Sequence, residues 1–455
     1  MRLFGSSGLR GLVNAEITPV LAVKVGMAVG TYTKAEKVFV ARDTRTSGLM
    51  LENALVSGLL ACGVKVFCHG VLPTPVLAYL TRRLGANAGV MITASHNPSQ
   101  YNGIKIFDEN GMAYSEKDQN EIERMIQQEN FGLADWRSLG EALPMKESHL
   151  YIEMINEGVR FSKKWRVVVD PGCGATSQIA SAVFKSLGCK TVAINAQFDG
   201  HFPGRSPEPC AESIKPLAKI VKEFGADVGV AYDGDGDRVA FVDEKGNFVN
   251  FDRVLAAYAA HIIGKTRGKR KIVVTNVEAS MCIERAVEAL DGKVVRTKVG
   301  DVYIAEAAKK FGAVFGGEPC GAWIHPKYHY CPDGILSSVL LLKALEEADK
   351  SLSEFVAEVP IYPVLRQNIP CRNEIKYGVV KRAGELLKAR FPDKKGLSMV
   401  DGVRLAIEDG WVLVRASGTE PLVRLTVEGE SLKAAEKIME EAASLVRKAV
   451  EDFEK

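Results

Sequence analysis

Three short loops in this chain carry residues capable of chemistry, and each follows a short apolar run. In the first, Gly89-Val90-Met91-Ile92 empties into Thr93-Ala94-Ser95-His96-Asn97-Pro98. Its turn residues would hold the Ser95 hydroxyl at the end of a strand. A serine hydroxyl is a weak nucleophile until a base or a metal assists it, and a turn-capping serine is the competing reading. In the second, Val228-Gly229-Val230-Ala231-Tyr232 leads to Asp233-Gly234-Asp235-Gly236-Asp237-Arg238. The intervening glycines permit a tight backbone that aims several carboxylates at one centre. Such a cluster repels itself unless a hard cation neutralises it, and Mg²⁺ prefers oxygen ligands of this kind. An EF-hand is ruled out because Arg238 stands where its invariant glycine belongs and a strand precedes the loop where a helix should. Arg238 beside such a metal is suited to gripping a phosphoryl group. The third loop, Gly317-Glu318-Pro319-Cys320-Gly321, offers polar ligands. Lys105 could return to the same cleft as a proton shuttle, although an isolated lysine is more often solvated.

The elements that position these loops repeat. Gly85-Ala86, Gly225-Ala226 and Gly312-Ala313 each open the strand that precedes a loop. Upstream, Val38-Phe39-Val40-Ala41, Val167-Val168-Val169-Asp170 and Ile272-Val273-Val274-Thr275 read as buried strands, each followed by a helix and a second strand near Val64, Cys189 and Val294. Alternating apolar runs and amphipathic helices argue for three α/β units with largely buried sheets. Such sheets bind ligands at strand ends, so one site assembled from three domains is expected.

A chain of 455 residues holds about three to four domains at the usual size. Boundaries following the repeat give residues 1–148, 149–249, 250–362 and 363–455. The first unit closes with a polar helix over 115–128, and the second with a turn at Glu244-Lys245-Gly246-Asn247 and its return strand. The third ends at Pro360-Ile361-Tyr362-Pro363. The remainder has another order: a helix over 377–390, strands at 403–407, 411–414 and 422–427, then a helix from Leu432. It carries Arg415-Ala416-Ser417-Gly418-Thr419-Glu420-Pro421, with Arg424 on the next strand. Arginines, hydroxyls and backbone amides around a glycine suit an anion nest for a phosphate, against the plainer reading of a hydroxyl-rich turn with surface arginines.

A net charge of +3 gives no reason to expect nucleic acid or an anionic membrane as a partner. The basic run at 265–271 lacks interleaved aromatics and reads as a solvated turn. The nine cysteines form no Cys-x-x-Cys pair, and nothing ahead of Phe4-Gly5-Ser6-Ser7-Gly8 reads as a signal peptide. Together with the lack of any apolar stretch of about 20 residues, this makes a soluble cytoplasmic protein the expectation.

Five motifs stand in order along all four domains: Phe4-Gly5-Ser6-Ser7-Gly8-Leu9-Arg10-Gly11 and the four loops above. Together they resemble the signature loops of the α-D-phosphohexomutases. That resemblance implies a phosphoserine at Ser95 and Mg²⁺ held by Asp233, Asp235, Asp237 and the serine phosphate. Arg10 and Arg238 would stabilise charge there, and Lys105 is a candidate general acid/base. Glu318 would contact sugar hydroxyls, while Arg415, Ser417, Gly418, Thr419 and Arg424 hold the non-reacting phosphate. Ser6, Ser7, His96, Lys298, Gly300, Asp301 and Cys320 complete the expected substrate contacts. The implied reaction moves a phosphoryl group between the 6- and 1-positions of a hexose phosphate through a hexose 1,6-bisphosphate that turns around in the cleft. Positioning and charge stabilisation would carry most of the catalysis.

One departure stands out. Many relatives read Gly-Glu-x-Ser-Gly-His in the third loop, whereas Cys320 and Ala322 replace the serine and histidine here. His325 would reach the vacated place only through a bulge, so local packing is its expected role. The opening and closing loops are most similar to the phosphoglucosamine mutase branch, which favours glucosamine phosphate over glucose or mannose phosphate. A metal-dependent phosphatase and a non-catalytic sugar-phosphate sensor are the readings from other classes. Whether the protein is a homo-oligomer is left open.

Overall fold

The computed structural model describes residues 3–5, 8–34, 36–268, 270–391, 396–417 and 420–454. Four sheets succeed one another along the chain. The first has seven strands, in the order Phe4–Gly5, Gly8–Leu12, Tyr101–Asp108, Ala88–Ile92, Lys37–Arg42, Lys65–Val71 and Ala142–Pro144. The second runs Val239–Val242, Val228–Tyr232, Arg166–Asp170, Lys190–Ala193, and the third Lys293–Thr297, Ile272–Asn276, Phe315–Gly317, Trp323–Ile324.

In each of these sheets the first and second strands of the repeat pair in parallel, and the loop-bearing strand lies parallel on the first strand's other side. The chain then reverses, and an antiparallel partner pairs back onto the strand it has just left. The chemically loaded loops are therefore the reversals themselves. In the second unit this replaces the expected order: the return strand Val239–Val242 comes before the turn at 244–247, and the turn leads into a single bridge between Val242 and Phe248. The Gly-Ala steps also have a physical cause. Gly225 and Gly312 cap their helices with φ of 61° and 62°, and Gly85 turns with φ of 63°, conformations that a Cβ disfavours.

The fourth sheet is wholly antiparallel, in the order Val364–Pro370, Leu422–Gly429, Gly410–Ala416, Val403–Ile407 and Gly396–Ser398. Its own core lies beneath the helices Lys376–Arg390 and Leu432–Glu454. The first three sheets instead share a core running from Phe39 through Trp165 and Phe241 to Phe315 and Trp323. Beyond the segment at 360–363, the fourth domain meets the third through Trp411 and Leu413, which pack with Val277, Met281 and Val299. Among the described residues, no helix is long and apolar enough to cross a membrane.

Candidate active site

The serine and aspartate loops close on one another across the first two domains. Ser95 Oγ donates to Asp233 Oδ2 at 2.5 Å and lies 3.5 Å from Asp237 Oδ1. Lys105, on the return strand Tyr101–Asp108, donates to Asp235 Oδ2 at 2.7 Å and to Asp237 Oδ2 at 2.5 Å. The lysine is thus buried and paired. Gly234 permits this closeness, because a Cβ there would come within 2.5 Å of the Ser95 carbonyl oxygen. Asp233 also shapes its own loop, its Oδ1 accepting from the backbone NH groups of Gly236 and Arg238, each at 3.0 Å.

Ser95 sits at φ 53°, an uncommon backbone for a residue with a side chain. A buried arginine that no sequence motif marks holds it there. The Arg45 guanidinium donates to the carbonyls of Ser95 (2.9 Å), Asn97 (2.6 Å), Pro98 (2.6 Å) and Tyr101 (2.9 Å). Asp43, just past the strand Lys37–Arg42, anchors it at 3.0 Å. The second unit uses the same device: Arg205 pairs with Asp170 at 2.8 Å and donates to the carbonyl of Tyr232, the residue before Asp233, at 2.5 Å. In the third unit Asn276 ends the corresponding strand and donates to Glu318 Oε1 at 2.8 Å, which also accepts from the Gly300 NH at 2.9 Å. A carboxylate or amide at the end of the first strand is the signal that could have pointed to these supports. Arg45→Ala should cost about 3–5 kcal/mol of stability, the range for removing one partner of a buried ion pair. Urea unfolding measures it, and a loss below about 1 kcal/mol would mean that Arg45 does not hold the loop.

The electrostatics are those of a compressed acidic centre. Burial raises the Asp233 carboxyl well above its ordinary range, and Asp237 and Asp235 push it further. Burial would raise Asp235 as well, but the Lys105 ammonium overrides it and holds that carboxyl low. Lys105 itself is raised, its two carboxylates outweighing the burial that would discharge it. It is held as a cation. His96 is driven down to about 2 by burial and by Arg238, Arg10 and Lys105, so the ring is neutral, with Nδ1 3.2 Å from Ser95 Oγ.

These residues fit a divalent cation. One carboxylate oxygen each from Asp233, Asp235 and Asp237 lies within 4.8 Å of the others. Asp235 Oδ1 is buried without a hydrogen-bond partner among the described residues, a lone pair that a metal would use.

Arg10 Nη1 donates to Asn97 Oδ1 at 3.2 Å, and its Nε is buried without a partner among the described residues. Arg238 lies 3.8 Å from the exposed Glu208. Cys320 adjoins Arg238, and burial pushes its thiol up to about 12 despite that charge. Asp301 opens the helix Asp301–Phe311 and acts electrostatically on Arg10, Lys105 and Glu318. Lys298 is half exposed, 3.8 Å from Glu116. His325 is packed against Tyr258 and Phe315, with Nε2 2.9 Å from Ser337 Oγ, so it belongs to the core.

In the fourth domain Ser417 is buried, its carbonyl accepting from Lys376 Nζ at 2.6 Å. Arg424 is exposed and 3.1 Å from Glu420. Arg415 is engaged by carboxylates, Glu278 of the third domain and Asp401 of its own. Ser6, Ser7, Gly418 and Thr419 lie outside the described residues.

Comparison with known proteins accounts for this layout. Models of phosphoglucomutase/phosphomannomutase α/β/α domains I, II and III match residues 1–133, 149–246 and 250–362, and the family's C-terminal domain matches 368–445. The chain belongs to the α-D-phosphohexomutase family. Proteins named "Probable phosphoglucosamine mutase" from Methanopyrus kandleri and Pyrococcus abyssi are 44% and 43% identical to it. The match covers 99% of this chain in both cases and 99% and 98% of theirs. A crystal structure of a phosphoglucomutase/phosphomannomutase family protein from Burkholderia thailandensis superposes with a TM-score of 0.88 at 26% identity, covering 98% of this chain and 97% of that one.

Proposed function

We propose that the protein is a phosphoglucosamine mutase, interconverting glucosamine 6-phosphate and glucosamine 1-phosphate. The observation that carries this reading is the Ser95 hydroxyl lying against Asp233 inside a buried carboxylate centre. The names of the relatives favour the amino sugar.

Ser95 would rest as a phosphoserine. A sugar 6-phosphate enters with its phosphate toward the fourth domain and its C1 hydroxyl toward Ser95. The hydroxyl oxygen bonds to phosphorus as the bond from phosphorus to Ser95 Oγ breaks. Asp237 stands between Ser95 and Lys105 with one oxygen toward each, which supports a role for Lys105 as acid and base. Its ammonium would supply, through Asp237, the proton that the departing Oγ takes up. The amine so formed would accept the proton that the sugar hydroxyl gives up, so the lysine ends the step charged as it began. The resulting 1,6-bisphosphate turns around, and the reverse transfer of its 6-phosphoryl to Ser95 leaves the 1-phosphate. Arg10 and Arg238 would neutralise the charge spread over the transferring group, and Glu318 would take the sugar hydroxyls. Asp233, Asp235 and Asp237 would hold a divalent ion, with Mg²⁺ the expected one, which would supply Lewis-acid charge stabilisation to the transferring group. Nine free thiols are in keeping with a cytosolic setting.

A coupled assay across glucosamine, glucose and mannose 6-phosphates tests the reading. The highest kcat/KM should fall to glucosamine 6-phosphate. Preference for glucose or mannose would reassign the protein within the family, and steady release of inorganic phosphate would make it a phosphatase. Glu318→Gln should lower kcat/KM by about ten- to a hundredfold, the range for a hydrogen bond to a charged group. Equal activity would remove Glu318 from the sugar site.

A further inference from the structure

Arg415 is the arginine expected to hold the substrate's distant phosphate, yet two of its donors are already taken. Nη1 pairs with Glu278 and Nη2 with Asp401 at 3.0 Å. Asp401 Oδ2 also accepts from the Val299 NH at 3.2 Å, so it fixes the guanidinium against the third domain. Nε is buried and has no hydrogen-bond partner among the described residues, which leaves a donor ready for a further oxygen. Glu278 has a different attachment. Its backbone NH donates to Asn276 Oδ1 at 2.9 Å, and the same asparagine side chain donates through Nδ2 to Glu318. The Glu278 carboxylate is about a third exposed and reaches Arg415 across the domain boundary.

Charge counting then decides what must move. Arg415 with two carboxylates carries a net single negative charge, which repels a phosphate dianion. With Glu278 displaced, Arg415 and Asp401 are neutral together and the open donors can turn to phosphate. Asp401 belongs to the arginine's own domain and also accepts from the Val299 NH. The Glu278 carboxylate, about a third exposed, has no hydrogen-bond or ion-pair partner besides Arg415 among the described residues, so only that pairing must break for it to turn away. We propose that Glu278 is an internal stand-in for the substrate phosphate, a positioning residue that occupies Arg415 when the clamp is empty and exchanges with phosphate when sugar binds. The contact between Trp411, Leu413 and Val277, Met281, Val299 keeps the two domains together while this exchange occurs at its edge.

The proposal rests on Arg415 being a phosphate ligand. A reaction whose bisphosphate must be released from the clamp and taken up again within one turnover gains from such a competitor. Binding energy that grips both ends equally lowers KM without helping transfer, and it slows the turning. Glu278 returns part of that energy by taking the arginine back as the phosphate leaves.

The test compares wild type with Glu278→Gln, Glu278→Asp and Arg415→Ala. Each is assayed for KM and kcat with the sugar 6-phosphate, and for competitive inhibition by inorganic phosphate. Glu278→Gln should lower both KM and the phosphate inhibition constant by about two- to fivefold, as expected for removing a partly exposed ion pair, while kcat falls. Glu278→Asp, which keeps the charge on a shorter arm, should shift them the same way by less, and it carries the test if the glutamine variant folds poorly. A merely structural lesion raises KM or lowers kcat alone. If Arg415→Ala raises KM but neither Glu278 variant lowers it, the stand-in is wrong and the clamp survives. If Arg415→Ala leaves KM and phosphate inhibition unchanged, Arg415 is no phosphate ligand and both ideas fall.

Discussion

Alanine at Ser95 is expected to abolish mutase turnover, by a factor on the order of a thousand or more, while the protein folds as before. The contacts that hold the loop go to the backbone of residue 95: Arg45 donates to its carbonyl, and its NH donates to Thr93 Oγ1 at 2.8 Å. Alanine keeps both. The side chain's own contacts are with Asp233, Asp237 and His96, and losing one such hydrogen bond costs about 0.5–1.5 kcal/mol. Activity and stability should therefore separate, which a melting curve beside the coupled assay would reveal. Intact mass supplies a second readout, since the wild type should carry a phosphoryl group that the variant lacks. Turnover near the wild-type rate in Ser95→Ala would end the phosphoserine reading.

Much of this arrangement is legible in the sequence because the candidate site residues stand at strand ends, and buried strands announce themselves by short apolar runs. Ser95, the three aspartates and Glu318 each come after such a run, and the structure brings the serine and the aspartates into contact. The support beneath them leaves one trace, the carboxylate or amide at or just past the first strand of each unit, and the partners those groups take are not legible. Arg45 and Arg205 look like surface arginines in a linear sequence, because nothing local says that Asp43 and Asp170 will be buried beside them. Lys105 looks like a solvated lysine on the same ground, and only the pairing of its strand against Ala88–Ile92 turns it toward the aspartates. The edge strands Val364–Pro370 and Gly396–Ser398 escape notice for another reason. One mixes Arg, Gln and Asn with its apolar residues and ends in proline, and the other is three residues long, so neither shows a clean period of two. The interdomain pairing of Arg415 with Glu278 has no sequence signal at all, since it depends on how the fourth domain docks through Trp411.

The second large effect concerns the metal. Asp235→Asn should weaken Mg²⁺ binding by about a hundredfold and lower turnover with it, because the ligand charge of the site drops while its shape is kept. Asp235 is suited to the experiment by its present contacts. Thr74 Oγ1 donates to its Oδ2 at 2.6 Å and Lys105 donates to the same oxygen, while Oδ1 is free of hydrogen bonds among the described residues. An asparagine carbonyl can still accept from Thr74, so the aspartate loop should hold its course, anchored also by the Thr74 NH on the carbonyl of residue 235 at 2.9 Å. Lys105 would keep Asp237 as a partner, so no buried cation is left alone. Two measurements then distinguish a lost ligand from a lost fold. Calorimetric titration with Mg²⁺ should show the weakened binding directly, and raising Mg²⁺ should recover part of the lost turnover. Wild-type enzyme stripped with excess chelator should be inactive, and activity restored by Mg²⁺ should track its binding curve. Full wild-type turnover in the presence of chelator would leave the three carboxylates with the task of holding Lys105 and Ser95 alone, and the charge on the moving phosphoryl group would have to be met by Arg10 and Arg238.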